Sequence, residues 1–342
     1  MIIPIRNVYL LLCYAWNTLP EGKIVNVQQE DCNTYLELFG RILESGVTHL
    51  LKRGLDREYT TVQDNTASPR GKIDLSATIK RSQLQQSRLT CLFDSLSHDV
   101  LHNRIVKTTV LNVLRCDEVN LQLRERLLEV YRRLHDVTVI TISANVFSKV
   151  TLHRNNGFYG FLLQVCRLIH DHLLIDSTTG KARFKDFVRD ERAMARVFEK
   201  FVYNFYRREQ RKYHVKSESF RWQHVAGNDD ALRLMPIMRT DVSLLSSQRH
   251  IVVDTKYYAN TLQCHHARET IHSANVYQVF AYLRNLQARE ADRRVEGILL
   301  YPTVSKHFDV NYTVHGHPLK IATVKLADDW KEIHERLLGL VH

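Results

Sequence analysis

The spacing of apolar residues switches along the chain between a helical and a strand-like period, which predicts a mixed α/β protein. Apolar residues recur three or four positions apart over long stretches, as on one face of a helix. The predicted helices are a buried N-terminal helix capped by Asn7 and the stretches 33–51, 98–115, 121–134, 158–175, 191–208, 273–286 and about 328 onward. Shorter β-branched or aromatic runs predict strands. They lie at 59–62, 72–75, 89–93, 137–142, 234–245, 251–258, 297–301 and 321–324, and a further strand is expected within 214–222.

Charged residues interrupt the apolar strand 251–258 at two alternate positions. Side chains alternate along a strand, so Asp254 and Lys256 should point to the same face. The upstream strand ends before Ser246-Ser247-Gln248, a polar connection that predicts an antiparallel pair. That pairing would bring Asp241 beside Asp254.

Two carboxylates and a lysine on paired strands suit metal-assisted hydrolysis of a phosphodiester. Mg²⁺ takes oxygen ligands and keeps several waters, so Asp241, Asp254 and the main-chain carbonyl of Thr255 form a predicted metal site. The ion would polarise the phosphoryl group, and Lys256 would position the attacking water. The pattern resembles the Asp…Asp-X-Lys motif of the PD-(D/E)XK nucleases. The structural alternative is an ordinary ion pair on an edge strand.

The acid-X-Lys motif is generic, because it occurs three times in this chain. Glu21-Gly22-Lys23 lies in a turn region, and Asp329-Trp330-Lys331 begins a predicted helix. Only Asp254-Thr255-Lys256 is predicted on a strand beside a second acid.

Two predicted helices on either side of the strand pair carry further candidate residues. Gln278 and Tyr282 lie four positions apart in 273–286, hence on one helix face. A Gln-X-X-X-Tyr helix after the lysine strand resembles the RecB-like branch of these nucleases, where the pair supports the site and the DNA backbone. Glu199, in 191–208, is a candidate additional acid and metal ligand. A solvated helix face is the structural alternative for Tyr282 and for Glu199.

The amino-acid composition indicates the kind of molecule that the protein binds and the compartment in which it works. The chain of 342 residues is long enough for two domains, and 48 Lys and Arg against 37 Asp and Glu give a net charge of +11. This excess favours a polyanion such as DNA. Six cysteines without a C-x-x-C pair argue against a zinc ribbon or a disulfide framework and fit a reducing cytoplasm. Cys264-His265-His266 with His272 matches no standard zinc-finger spacing, and no segment has transmembrane length.

A series of short motifs follows in order along nearly the whole chain. They are Ile2-Ile3-Pro4-Ile5-Arg6-Asn7-Val8-Tyr9, Tyr14-Ala15-Trp16, Gly71-Lys72-Ile73-Asp74, Phe93-Asp94, Asn103-Arg104-Ile105, Asp254-Thr255-Lys256-Tyr257-Tyr258 and Tyr277-Gln278. Together they resemble the McrC family, the nuclease subunits of the McrBC restriction systems that cut DNA containing modified cytosine.

The resemblance implies an α/β protein of two parts. Residues 1–157 would form a mixed α/β domain that binds a hexameric, McrB-like AAA+ GTPase ring and stimulates its GTPase. Residues 158–342 would form a PD-(D/E)XK endonuclease core with the element order αβββαβ. We place the boundary at the predicted turn Asn155-Asn156-Gly157.

The same resemblance assigns roles to individual residues and partners. Asp241, Asp254 and Lys256 carry over as the nuclease triad, with Gln278 as support and Mg²⁺ as the cofactor. The GTPase partner would recognise the modified cytosine in double-stranded DNA. Since one site cuts one strand, we expect nuclease domains to pair through the complex.

Two other classes of function fit parts of the sequence. One is a non-catalytic adaptor that activates an AAA+ ring and whose carboxylates are structural. The other is a free-standing RecB-like repair nuclease, although the N-terminal half has no helicase or iron–sulfur motif. The placement of two acids and a lysine on paired strands distinguishes a nuclease from an adaptor, which does not require it.

Overall fold

The computed structural model of the chain confirms the mixed α/β architecture and divides it into two compact units. One consists of Leu36–Lys185, here called the inserted unit. The other, here called the main unit, consists of Met1–Tyr35 together with Asp186–His342. The structure describes residues 3–22, 32–153, 156–175, 182–185, 187–223, 225–258, 263–265, 268–290, 292–303 and 308–342.

Both units contain helices and strands. The helices among the described residues are α1 (Ile5–Ala15), α2 (Leu19–Gly22), α3 (Tyr35–Arg53), α4 (Leu75–Lys80), α5 (Leu101–Leu114), α6 (Leu121–Arg133), α7 (Gly157–His172), α8 (Glu191–Glu209), α9 (Asp229–Leu234), α10 (Ser273–Arg289) and α11 (Trp330–Gly339). The strands are β1 (Glu58–Thr66), β2 (Lys72–Ile73), β3 (Leu89–Ser97), β4 (Leu173–Ile175), β5 (Ala182–Phe184), β6 (His214–Lys216), β7 (Ser219–Phe220), β8 (Met238–Arg239), β9 (Val242–Leu245), β10 (Arg249–Thr255), β11 (Gln263–His265), β12 (Arg268–Thr270), β13 (Arg294–Thr303), β14 (Asp309–Val314) and β15 (His317–Lys325).

A six-stranded sheet with the strand order β14-β15-β13-β10-β9-β6 forms the centre of the main unit. Strands β10, β13 and β15 are parallel neighbours, whereas β6, β9 and β14 run antiparallel to the strands beside them. Along the chain, α8, β6, β9, β10, α10 and β13 follow the predicted order of one helix, three strands, one helix and one strand. Short elements β7, α9 and β8 are inserted between β6 and β9, and β11 and β12 lie between β10 and α10.

Helix α10 lies on this sheet because its apolar stripe meets the apolar residues of β10 and β13. Val279 and Leu283 belong to one buried cluster with Val252 and Leu299. Gly297 on β13 makes room for the helix, since a Cβ atom there would lie 2.7 Å from Cγ1 of Val279. The close approach of α10 fixes the height of the helix above the strands.

Asn7 lies inside α1, so its prediction as the helix cap was wrong. The cap position is Pro4, which has no side-chain hydrogen bond to the helix. The Asn7 amide instead donates to the main-chain carbonyls of Leu326, at 2.9 Å, and Asp328, at 2.8 Å. These long-range bonds attach α1 to the connection before α11, within the main unit.

The aromatic face of α1 packs against α8. The ring of Tyr14 lies 5.8 Å from that of Phe201 and 5.7 Å from that of Phe205, measured between centroids. This burial of apolar surface joins α1 to the main unit. The compact units therefore divide the chain differently from the predicted domains 1–157 and 158–342, because α1 lies in the main unit and α7 in the inserted unit.

Several predicted strand boundaries were wrong. The stretch 234–245 holds the end of α9 followed by β8 and β9. Pro236 interrupts it, because proline has no N–H for a sheet ladder. Strand β10 ends at Thr255 rather than at residue 258, and α4 and β14 were not predicted.

The stretch 137–142 was also predicted as a strand, and it forms neither strand nor helix. Its main chain bonds to side chains instead of to a neighbouring strand. The carbonyl of Val137 accepts from Lys107 Nζ at 2.6 Å, and the amide of Ile140 donates to Thr108 Oγ1 at 3.0 Å. Side chains of α5 thus satisfy the backbone groups that a ladder would have used.

The inserted unit contains a three-stranded sheet with the order β1-β3-β2 and helices α3 to α7. Helix α3 ends one residue before Gly54, whose φ of +95° is a left-handed conformation that favours glycine. Gly54 thereby ends the helix. Helix α5 packs against α6 and α7 within this unit.

Cys13, Cys91, Cys116 and Cys166 are buried free thiols, and Cys32 is buried as well. Among the described helices, none combines the length and the apolar character needed to span a bilayer. The predicted turn and the cysteine–histidine run each extend outside the described residues, at Asn155 and His266.

Candidate active site

Antiparallel pairing of β9 with β10 brings the two predicted aspartates to the same end of the sheet. Val253 pairs with Val242, and continuing this register by one residue places Asp241 across from Asp254. Asp241 immediately precedes β9, and Asp254 is the penultimate residue of β10. The predicted juxtaposition of the acids is therefore present in the structure.

Lys256 lies one residue beyond β10 and forms an ion pair with Asp254. Its Nζ atom is 2.8 Å from Oδ2 of Asp254, which confirms that the two side chains lie on one face. Asp254 is 0% exposed and the lysine side chain 18% exposed. The second oxygen of this carboxylate, Oδ1, has no hydrogen-bond donor among the described residues.

The carboxyl of Asp254 is held where its charge is poorly stabilised. Burial raises its pKa from 3.8 to about 7, the ammonium of Lys256 opposes the rise, and Asp241 adds to it. Burial lowers the pKa of Lys256, but attraction to Asp254 outweighs it and the pKa of the lysine is raised. A buried carboxylate beside a second acid would be stabilised by a cation.

Thr255 holds the carboxylate of Asp241 in place. The main-chain amide and the hydroxyl of Thr255 both donate to Oδ2 of Asp241, each at 2.8 Å. Both bonds end on one oxygen, so Oδ1 of Asp241 is left without a hydrogen-bond donor among the described residues. Thr255 thereby orients one predicted metal ligand, while its own carbonyl is the predicted third ligand.

Glu199 on α8 belongs to the same acidic cluster. Burial raises its pKa, and the charge of Asp241 raises it further, whereas Arg239 and Lys200 lower it. Its side chain is partly exposed. The structure thus brings Glu199 close enough to Asp241 for the two charges to interact.

Gln278 and Tyr282 form a hydrogen-bonded pair on α10. Nε2 of Gln278 donates to the hydroxyl of Tyr282 at 2.7 Å. Tyr282 is buried, and burial raises its pKa, with Asp254 and Asp241 adding to the rise. The hydroxyl end of the pair therefore lies near the carboxylates, and Gln278 is exposed beside it.

The oxygen atoms of this cluster fit a hard divalent cation. Asp254 and Asp241 each have an oxygen without a described hydrogen-bond donor, and Thr255 supplies a carbonyl at the same strand end. Oxygen donors of this kind match the preference of Mg²⁺. No group of three or more His, Cys, Asp or Glu side chains within the described residues is arranged to hold a metal ion. The candidate set differs from such a group because it combines two carboxylates with a main-chain carbonyl.

Sequence reasoning missed a second polar cluster at the end of β10. Asn275 on α10 contacts the hydroxyls of Tyr258 and Tyr301. The only signal in the sequence was an asparagine in the first turn of a helix, where a polar side chain is usually solvated. Its two partners are distant in sequence, so only the fold brings them together.

A cleft of about 510 Å³ lies on the segment 221–237, between β7 and β8. None of the predicted site residues lines it. The acidic cluster lies instead at the shared end of β9 and β10.

The fold and the cluster define an α/β protein whose central sheet carries two aspartates and a lysine at the end of neighbouring strands. The chain belongs to the family of McrBC 5-methylcytosine restriction system components, whose family model matches residues 8–302. The motifs that resembled the McrC family thus pointed to the correct family.

Two known proteins are similar to the chain over nearly its whole length. The type IV methyl-directed restriction enzyme EcoKMcrBC of Escherichia coli (strain K12) is 31% identical over 339 residues, which cover 99% of this chain and 97% of that protein. A chain in the refined half-complex from the tetradecameric assembly of Thermococcus gammatolerans McrB AAA+ hexamers with bound McrC superposes with a TM-score of 0.59. It is 17% identical, and the match covers 99% of this chain and 76% of that one, so it shows a shared fold.

Proposed function

We propose that this chain is the endonuclease subunit of a restriction system that cuts DNA containing modified, methylated cytosine by Mg²⁺-dependent hydrolysis. The observation that carries the proposal is the ion pair between Lys256 and the buried Asp254, beside Asp241 on the neighbouring strand. Membership of the McrBC family and the similarity to a methyl-directed restriction enzyme support the same system. The net charge of +11 is consistent with a DNA substrate.

Each residue of the cluster has a role in this proposal. Asp241 and Asp254 would hold Mg²⁺ through their open oxygens, together with the carbonyl of Thr255 and, as an additional acid, Glu199. Bound there, Mg²⁺ would supply polarisation of the phosphoryl group and a more acidic water molecule. Lys256 positions the attacking water and offsets negative charge that develops on the phosphate.

The Gln278–Tyr282 pair supports the site from α10. The exposed amide of Gln278 is available to a DNA phosphate, and Tyr282 fixes its position through the 2.7 Å hydrogen bond. Phosphate contacts of this kind set the register of the backbone without reading sequence. The pair therefore orients the scissile strand toward the carboxylates.

The chain acts with an McrB-like AAA+ GTPase hexamer and stimulates its GTPase. The similar fold of a chain from an assembly of McrB hexamers with bound McrC supports this partner. We assign ring binding to residues 1–157, of which 36–157 belong to the inserted unit, and cutting to the remainder. Recognition of the modified cytosine belongs to the partner.

Cutting both DNA strands requires two nuclease sites, because one site hydrolyses one strand. Nuclease domains therefore pair through the assembled complex. We infer a cytoplasmic location, which six cysteines without a C-x-x-C pair fit.

The proposal is tested by cleavage of a cytosine-methylated plasmid with the partner GTPase, GTP and Mg²⁺. We compare wild type with Asp254→Ala and Lys256→Ala, and use Lys331→Ala as the matched control. Lys331 belongs to another acid-X-Lys motif, at the start of α11, and its side chain is 83% exposed. Wild type and the control should cut, and the two site variants should lose cutting by about a hundredfold or more.

GTP hydrolysis is measured in the same reactions. Both site variants should stimulate the GTPase as wild type does, since their changes lie outside the predicted partner-binding residues. Stimulation by wild type without any cutting would favour the adaptor function instead. Equal loss of stimulation in Lys256→Ala would contradict the division of labour between the two parts of the chain.

A further inference from the structure

The position of Lys256 depends on contacts beyond the sheet ladder. Strand β10 ends at Thr255, so the lysine lies on the first residue after the strand. Its amide still donates to the carbonyl of Leu300 on β13, at 3.0 Å. A flexible lysine side chain on a strand end needs a fixed backbone to bring its ammonium repeatedly to one point.

Asn275 links the two chain segments on either side of that hydrogen bond. The hydroxyl of Tyr258, two residues after the lysine, donates to Oδ1 of Asn275 at 3.3 Å. Nδ2 of Asn275 donates to the hydroxyl of Tyr301 at 3.0 Å. Tyr301 directly follows Leu300, the residue whose carbonyl binds the lysine amide. These hydrogen bonds connect Lys256 to β13, β13 to α10, and α10 back to Tyr258.

Burial makes this link strong and selective. Asn275 is 5% exposed and Tyr301 is 1% exposed. A buried polar group costs free energy unless it is paired, so each member is held by its partners. An amide has both a donor and an acceptor, which allows one side chain to bind two hydroxyls.

Tyr258 is fixed by its ring as well as by its hydroxyl. The ring stacks on His272, with the centroids 4.5 Å apart and the planes at 21°. His272 is the residue before α10. The strand end and the start of α10 are thus joined by a stacked pair and by the Asn275 bridge.

The bridge lies on the same side of the sheet as the catalytic pair. Asp254 is in register with Leu299 in the parallel ladder, so Tyr301 occupies the position that corresponds to Lys256. Residues in register on neighbouring strands share a face. Tyr301 also belongs to the buried cluster under α10.

We propose that Asn275, bridging the hydroxyls of Tyr258 and Tyr301, is a positioning residue for Lys256. The bridge sets where the chain leaves β10 and therefore where the ammonium meets Asp254 and the scissile phosphate. This inference rests on the proposed nuclease function. Neither tyrosine nor the asparagine touches the reacting atoms, so their effect is on the rate of the chemical step.

The test uses Tyr258→Phe, Tyr301→Phe and Asn275→Leu in the full complex with the partner GTPase. Each removes hydrogen bonds of the bridge and keeps the approximate shape of the side chain. Single-turnover cleavage of cytosine-methylated plasmid is measured over a range of DNA concentrations. The maximal rate should fall roughly tenfold, since small misplacements of a catalytic group are costly, and the half-saturating DNA concentration should stay unchanged.

Matched controls separate positioning from folding. Tyr312→Phe removes a hydroxyl from a side chain that is 44% exposed on β14 and should cut as wild type does. Thermal unfolding followed by tryptophan fluorescence should show both tyrosine variants folded at the assay temperature, with midpoints lowered by the loss of a buried hydrogen bond. If the defect in the cleavage rate disappears at a lower assay temperature, the loss is one of stability and the proposal is overturned.

A double variant gives the sharpest criterion. Tyr258→Phe and Tyr301→Phe each break the same series of hydrogen bonds. The double variant should therefore cut no more slowly than the slower single variant. If the decreases in cleavage rate of the two single variants multiply in the double variant, the two hydroxyls act independently and the proposed bridge is contradicted.

Lys256→Ala in the same assay separates this inference from the proposed function. If Lys256→Ala is inactive and the bridge variants cut as wild type does, the bridge inference alone fails. If Lys256→Ala cuts as wild type does, the proposed function fails, and the positioning role fails with it.

Discussion

Replacing the buried Asp254 by asparagine should remove a pH-dependent loss of stability from the metal-free protein while it abolishes cutting. Asp254 is 0% exposed, and burial raises its pKa from 3.8 to about 7. Between these values the folded chain keeps a proton that the unfolded chain releases. Stability therefore falls as pH rises through this window, by about 1.4 kcal/mol for each pH unit.

The pKa shift of Asp254 sets the expected size and direction of the change in stability. Asparagine carries no charge at any pH, so the Asp254→Asn variant does not lose stability in this way as the pH rises. From pH 5 to pH 8.5 the wild-type chain crosses about two units of the window, which corresponds to about 2–3 kcal/mol. The variant should gain this amount over wild type between the two pH values.

Urea unfolding in EDTA measures the difference directly. Tryptophan fluorescence reports the unfolding of the main unit, which contains Asp254. All three tryptophans, Trp16, Trp222 and Trp330, belong to this unit. Asp230→Asn is the control, since that side chain is 92% exposed and its removal should leave the pH dependence unchanged.

A constant difference between variant and wild type across this pH range would refute the reasoning about burial. A second arm adds Mg²⁺ at pH 8.5. An ion at about 100 times its dissociation constant adds about 2.7 kcal/mol to a protein that binds it only when folded. Wild type should gain from Mg²⁺ and the variant should gain less, because one ligand oxygen has been replaced by an amide.

Two further predictions concern the packing that supports the site, and both are measured by the same unfolding assay. Gly297→Val should cost about 1–3 kcal/mol, because its Cβ would lie 2.7 Å from Val279 and push α10 away from the sheet. Gly339→Ala, where the added atom meets open space, should be neutral, and equal losses in the two variants would contradict the packing argument. Asn7→Ala should cost about 1–3 kcal/mol, because two main-chain carbonyls lose their donor. Arg6→Ala, at the exposed residue beside Asn7, is the control. If Asn7→Ala changes the free energy of unfolding as little as Arg6→Ala does, the two hydrogen bonds of Asn7 do not contribute to stability.

Local patterns predicted the elements that carry the candidate site. The helix expected at 273–286 is Ser273–Arg289, because apolar residues recur at helical spacing through that stretch. The shared face of Asp254 and Lys256 followed from strand alternation, which depends only on residues two positions apart. The antiparallel pair that places Asp241 beside Asp254 followed from a short polar connection between two apolar runs.

Contacts between distant segments were not predictable in the same way. Asn7 appeared as a helix cap, yet its partners follow it by more than 300 residues. The division into compact units also differs from the predicted domains, because the aromatic face of α1 is buried against α8. The spacing of apolar residues within one segment does not show which other segment will pack against its apolar face.

The sequence alone determined the family, the α/β class and the residues that bear charge on the central strands. Short-range periodicity, spacing and order of motifs contain that information. The tertiary structure decided how deeply Asp254 is buried, which oxygen atoms remain open, and that Asn275 joins Tyr258 to Tyr301. These features depend on the parallel register of β10 and β13, which is set by the packing of α10 across them and by no local pattern of residues.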